Sequence, residues 1–289
     1  MGFKAGYLML LPALVLMGVF VLFPTVWGLY VSMTDTTLVG PSAIRPRFIW
    51  LGNYLRLLRD GRFYNSLNIS FAFTIGSALI GQLILGLVLA IMMRMKELRG
   101  RSLAALAVFV SWIVPEVVAG YMWGSFASKR GLLNVLLSPL GVRPTNWLFY
   151  RPLETIIVAN IWRGTAFSMI LFSAALESIP GFIYEASELD GATPWQRFRY
   201  VTLPLLLPAI LTDLILITIW TFGVFTMPFV MTGGGPGTKS ELWTIYVYKQ
   251  SFLPPYELGY AAAAANIMFV ITLSLIVTYV VVINRLKRW

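Results

Sequence analysis

The chain has 289 residues, 58% of them hydrophobic and only 12% charged, with a mean hydropathy of +0.78; this composition belongs to a membrane-embedded protein and excludes an ordinary soluble domain. Its formal charge of +10 would suggest nucleic acid in a soluble protein, but in a chain that crosses a bilayer it reflects loop lysines and arginines that fix orientation, so nucleic-acid binding is set aside. The absence of Cys and His removes disulfides, thiolate chemistry, most transition-metal sites and the usual general base, which argues against an enzyme.

A helix crossing the hydrocarbon needs roughly 20 mostly apolar residues. Six windows qualify: 7–33, 70–93, 103–126, 155–176, 205–230 and 259–283. They predict an all-α, polytopic membrane protein with six transmembrane helices in a single domain over 1–289. Lys4 precedes the first apolar run as in a signal peptide, but the run is too long and no A-x-A-like cleavage site follows, so it reads as a retained helix. Six spans put both termini on one side. Basic residues nearly balance across the membrane, but the clusters RMKELRGR and NRLKRW abut helix ends in short segments, where the orienting bias acts most strongly. This places both termini in the cytoplasm.

Three charges fall inside predicted spans: Glu116 in the third, Arg163 in the fourth and Asp213 in the fifth. Each costs roughly 2.5 to 3.5 kcal/mol at the bilayer centre unless it finds a partner or a water-filled cavity. Glu116 and Asp213 read first as buried structural pairs, Arg163 equally as a pair or a cargo contact. The segment 177–204, between the fourth and fifth spans, is a long inner connection with its own helical grammar. Pro180-Gly181 ends the fourth span, and Tyr184 to Leu189 reads as a short helix with Glu185 and Glu188 on one face. Gly191 suits a helix stop, and Thr193 with Pro194 caps a second helix, Trp195 to Thr202, before Pro204 and Pro208 lead back into the membrane. After the fifth span, MTGGGPGTKSELW nearly spells the phosphate-binding loop G-x-x-x-x-G-K-[ST], but Thr238 separates Gly237 from Lys239. The predicted orientation puts this loop outside, away from any ATP pool, so it reads as a connecting turn whose glycines adopt positive φ.

The run EASELDGATPWQRFRYVTLP resembles the E-A-A-x-x-x-G motif of permease subunits of bacterial type I ATP-binding-cassette importers, in the carbohydrate-uptake version followed by Phe and Leu-Pro. The matching positions are Glu185, Ala186, Asp190, Gly191, Ala192, Phe198, Leu203 and Pro204, with Ser187 in place of the usual second Ala. LGNYLRLLRDGRF, SWIVPEVVAGYMWG, NIWRGTAF and TGGGP are similar to the same family, so the resemblance covers most of the chain. It implies the type I importer permease fold in a bacterial or archaeal cytoplasmic membrane. It also implies that Glu185, Ala186, Ser187, Glu188, Asp190, Gly191 and Ala192 form a coupling helix seated on a separate ATPase dimer. That dimer would carry ATP and Mg, leaving no cofactor on this chain. A second homologous permease subunit, an extracytoplasmic sugar-binding protein, membrane lipid and a sugar cargo complete the implied partners.

A sugar path needs aromatic side chains for ring faces beside polar groups for hydroxyls. Asn160, Arg163, Gly164 and Phe167 share one helix face at i, i+3, i+4 and i+7, and Trp220 and Thr221 offer the same mixture in the fifth span. In the maltose-importing relative, the positions matching these six residues line the sugar site; Arg163 stands where an apolar residue would serve there. The competing reading is an ion-coupled secondary transporter. It would predict internal repeats and a midplane proton or sodium relay, whereas this chain has no His, a lone inner Asp213 and no obvious repeat.

Overall fold

The computed structural model describes residues 2–95 and 100–286; Lys96, Arg99, Lys287 and Arg288, four of the basic residues used to orient the chain, lie outside the described residues. The principal helices, in chain order, are α1 (Leu10–Ser32), α2 (Gly61–Arg94), α3 (Arg101–Ile113), α4 (Glu116–Phe126), α5 (Pro152–Glu177), α6 (Gly181–Leu189), α7 (Pro194–Phe222), α8 (Thr226–Thr232), α9 (Trp243–Phe252) and α10 (Leu258–Leu286). Among the described residues, strand structure is limited to an isolated bridge between Thr34 and Phe48. Helices α1, α2, α5, α7 and α10 are each long and apolar enough to cross a membrane. The fold is all-α and polytopic, as the composition required.

The third and fifth predicted spans are not single rods. The window 103–126 is broken into α3 and α4, which meet at 108°. Pro115 is the cause: it lacks a backbone N–H and pushes the residue before it out of helical geometry. Val114 accordingly has φ −58° and ψ 126°, and the chain re-enters a helix at Glu116. The window 205–230 likewise ends its long helix at Phe222. Gly223 carries a helix penalty, the Val224 N–H turns back to the Thr221 carbonyl at 3.3 Å, and α8 starts afresh after Phe225. The two displaced pieces pack on each other. A Cβ at Gly120 of α4 would stand 2.8 Å from the Val230 side chain of α8, so only glycine permits that approach.

The inner connection departs from expectation at both of its helices. α6 begins at Gly181 rather than Tyr184, and the second helix does not stop before the membrane but runs on from Pro194 to Phe222. A wide turn over Phe198–Thr202, closed by the Leu203 N–H on the Phe198 carbonyl, absorbs the donor that Pro204 lacks.

By packing, the chain forms two compact units. The first comprises residues 1–64 and 243–271. Its polar hub is Asp60, whose Oδ2 accepts the Tyr246 hydroxyl at 2.7 Å and the Tyr260 hydroxyl at 2.8 Å. Burial pushes the Asp60 carboxyl up, but these bonds and the Arg62 backbone N–H outweigh it and hold the group below the usual carboxylate range. Arg56 grips Glu257 with both terminal nitrogens, at 2.8 and 2.6 Å.

The second unit comprises residues 65–242 and 272–289. Its centre is the seam between α2 and α5, where small residues let the helix backbones approach. A Cβ at Gly86 would lie 2.4 Å from the Ser168 Cβ, and one at Gly81 would lie 2.2 Å from Ile161. Toward the α6 end of this seam, Ala90, Phe172, Leu176, Ile179 and Leu206 form a buried apolar cluster against which Ile183 and Tyr184 pack. Burial of α6's inner face on this cluster fixes the helix to the spans it connects.

Candidate functional site

Helices α2, α5 and α7 and the α3–α4 break converge on a cavity of about 70 Å³ in the second unit. Asn160, Arg163, Gly164, Phe167, Trp220 and Thr221, the six residues singled out by the mixture of aromatic and polar groups, all line it. Gln82 of α2, Trp112 of α3, Glu116 of α4, Ile217 of α7 and Val224 complete the wall. One side is aromatic: the Phe167 ring stands 4.8 Å from Trp220 and 5.9 Å from Trp112, centroid to centroid. Trp220 is half exposed, whereas Thr221 and Asn160 are buried. The other side is polar. The Asn160 amide donates to Ser77 Oγ at 3.0 Å, and the Gln82 amide donates to the Asn160 carbonyl at 3.2 Å. Gly164 serves by what it lacks: a Cβ there would stand 2.3 Å from the Gln82 carboxamide, so any side chain would displace Gln82 from the wall.

Arg163 and Glu116 find each other. Nη1 of Arg163 lies 3.3 Å from Oε1 of Glu116, both side chains partly exposed, while the Arg163 Nε is buried with no acceptor among the described residues. Glu116 reaches this place because the Pro115 break makes it the first residue of α4, a helix N-terminus that favours a carboxylate. Asp213 differs from the structural pair expected of it. It is fully buried with no cation paired to it among the described residues; the Ser168 hydroxyl of α5 is its polar neighbour, but the two do not reach hydrogen-bond geometry. Its place on α7, one turn before Ile217 and two before Trp220, lies below the cavity toward α6.

The second cluster is the turn from α6 into α7. Glu185, Ala186, Glu188 and Asp190 are exposed, and Ser187 is buried with its hydroxyl donating to the Tyr184 carbonyl at 2.7 Å. Gly191, at φ +76°, ends α6 with paired reversals: its N–H donates to the Glu188 carbonyl and the Ala192 N–H to the Ser187 carbonyl, each at 3.0 Å. Thr193 then caps the next helix in a capping box with Gln196. Glu188 pairs with Arg197 across the turn, and the Arg94 guanidinium lies 4.3 Å over the Tyr184 ring. Both ends of the turn are therefore closed by local bonds. Its apolar side chains are not covered, with Phe182, Leu189 and Trp195 exposed to 68, 90 and 69%.

The glycine run is no phosphate cradle. The Gly233, Gly234, Gly235, Lys239 and Ser240 N–H groups donate respectively to the Phe229 carbonyl, Thr232 Oγ1, and the Thr232, Pro236 and Gly234 carbonyls. That leaves none of these donors for an anion. Gly233, Gly234 and Gly237 have φ of +57°, +85° and +61°, the positive values the sequence called for.

Residues 82–288 match the family described as binding-protein-dependent transport system inner membrane component. The chain belongs to that family. This transport component is 35% identical to the trehalose/maltose transport system permease protein MalF of Thermococcus litoralis, over 99% of this chain and 95% of that one. It is 31% identical to the sulfoquinovosyl glycerol transport system permease protein SmoG of Agrobacterium fabrum, over 96% and 89%. Its fold superposes with a TM-score of 0.81 and 23% identity on a chain of a bacterial ABC transporter that imports the acidic polysaccharide alginate, covering 99% and 95% of the two chains. The matched family consists of membrane subunits of transport systems, which agrees with a permease subunit rather than an enzyme.

Proposed function

We propose that this chain is the transmembrane subunit of an ATP-driven, binding-protein-dependent sugar importer. It forms half of a translocation path in one permease domain, with a second homologous permease supplying the other half. The cavity between α5 and α7 is the cargo site. Phe167, Trp220 and Trp112 offer faces to a sugar ring, Asn160, Arg163 and Thr221 offer hydrogen bonds, and Gly164 holds the space for Gln82. The observation that carries this reading is the convergence of Asn160, Arg163, Gly164, Phe167, Trp220 and Thr221 on one cavity that a single chain leaves incomplete. Pockets for small molecules run to roughly 300 to 1,000 Å³, whereas this one measures about 70 Å³ and leaves Trp220 half exposed.

Coupling runs through the turn of residues 181–197. Glu185, Ala186, Ser187, Glu188, Asp190, Gly191 and Ala192 form a short lever tied to α5 and α7, with exposed apolar side chains for an ATPase subunit. Both termini lie in the cytoplasm, together with this turn and the ATPase dimer; the sugar-binding protein delivers cargo on the opposite side. ATP binding closes the dimer, moves the levers and shifts the population between states that open the cavity to one side or the other. Uptake of a radiolabelled sugar into proteoliposomes holding the assembled complex tests this reading. Uptake that needs ATP and ignores a protonophore is expected; uptake that survives without ATP and collapses with the protonophore would overturn it.

A further inference from the structure

We infer that Glu116 sets the charge class of the cargo: by cancelling Arg163 it makes this wall of the path select a neutral polyhydroxylated ligand, without carboxylate, phosphate or sulfonate. The inference rests on the reading of the cavity as the cargo site. An unaccompanied Arg163 would make an acidic sugar the natural cargo, because a guanidinium binds carboxylate and phosphate with paired, charge-assisted hydrogen bonds. The cavity does not present Arg163 unaccompanied. Glu116 Oε1 lies 3.3 Å from Arg163 Nη1, and the two side chains are 23% (Arg163) and 33% (Glu116) exposed beside the same space. The remaining polar groups of the wall, Gln82, Asn160 and Thr221, are neutral, so this half of the site carries no net charge.

What the pair does offer is a matched donor and acceptor. Only Nη1 of Arg163 lies against Glu116, so the guanidinium keeps further N–H donors, and a carboxylate has several lone pairs to give. A sugar hydroxyl both accepts and donates, so two adjacent hydroxyls can take a hydrogen bond from Arg163 and give one to Glu116. An acidic ligand would compete with Glu116 for the guanidinium and set a second negative charge a few ångströms from it. Like charges at such distances, partly shielded from water, repel strongly enough to discriminate between ligands. Glu116 thus acts as a specificity-determining residue, held in place by the Pro115 break.

The test uses the assembled complex in nanodiscs without the binding protein, so that the latter's selectivity does not enter. The probes are a neutral disaccharide and the same disaccharide with one primary hydroxyl oxidised to a carboxylate, titrated against tryptophan fluorescence, since Trp112 and Trp220 line the cavity. The wild-type complex is expected to bind the neutral sugar at least about tenfold more tightly. Glu116→Gln should erase or reverse that ratio, and Arg163→Gln should widen it. Opposite movements separate charge selection from mere damage, which would weaken both ligands alike. Equal or tighter binding of the oxidised sugar by wild type, or a shift in the same direction by both variants, would overturn the inference while leaving the cargo site standing. If neither sugar perturbs the fluorescence or drives uptake with the binding protein restored, the cargo-site reading itself falls, and this inference with it.

Discussion

The turn between α6 and α7 and the glycine turn after α8 both reverse the chain on a left-handed glycine, Gly191 at φ +76° and Gly233 at φ +57°. Their surroundings differ. The turn after α8 uses its N–H groups on its own carbonyls and hydroxyls and leads directly into Ser240, Glu241, Leu242 and Trp243, all buried. The turn after α6 also satisfies its backbone locally, yet leaves Phe182, Leu189 and Trp195 uncovered. A turn whose side chains are already buried is a fixed part of the scaffold. One with a settled backbone and bare apolar side chains keeps its shape and offers a surface for a partner, which is what the proposed lever would require.

The largest expected effect follows from Gly191. Proline fixes φ near −65° and has no N–H for the Glu188 carbonyl, so Gly191→Pro should abolish uptake while pull-down still recovers the whole complex; normal uptake would erase the functional difference between the two turns. Next comes a matched pair of apolar-to-charge changes. Leu242→Asp buries a charge and should cost on the order of 3 kcal/mol, read as a lowered melting temperature. Leu189→Asp should leave that temperature unchanged and release the ATPase subunits in detergent. If the pair behaved alike, the division into scaffold and lever would be wrong. A smaller change is expected for Thr193→Ala, which removes a cap worth about 1 kcal/mol and should reduce uptake a few-fold; the double variant with Gln196→Ala should add little, because the two bonds form one box. The smallest concerns Lys239, which should have no effect at all on nucleotide affinity when changed to Ala; a weakened ATP affinity would return the glycine turn to consideration as a phosphate site.

Much of the candidate site was legible because its residues recur along single helices. Helical periodicity alone brought Asn160, Arg163, Gly164 and Phe167 to one face, and the Gly191 stop and Thr193 cap followed from local conformational rules. Gln82 and Trp112 were missed because they reach the cavity from other helices, and periodicity within one helix carries no information about its neighbours. Gln82 did leave a signal, as the amide in the apolar run ALIGQLILG. The two broken spans were missed for another reason. Hydropathy measures transfer to lipid and is blind to direction, so IVPEVV and TFGVF stayed inside apolar windows although Pro115 and Gly223 announce the interruptions. Asp213 was expected to have an ion partner because a buried charge ordinarily needs one; nothing in the sequence distinguishes an ion-paired aspartate from one set beside a neutral hydroxyl.

The break at Pro115 has a consequence for how the chain can exist in lipid. At 1.5 Å per residue, α3 and α4 reach only about 20 and 17 Å, each short of a hydrocarbon core about 30 Å thick. Acyl chains cannot hydrogen-bond, so the opened backbone between them, including the first amides of α4, requires protein or water around it. Pro115 and Trp112 are exposed on the isolated chain. A solitary copy would therefore need water against this seam wherever no protein covers it. The same interruption that carries Glu116 into the cavity thus suits a subunit that, as proposed, shares its path with a second permease.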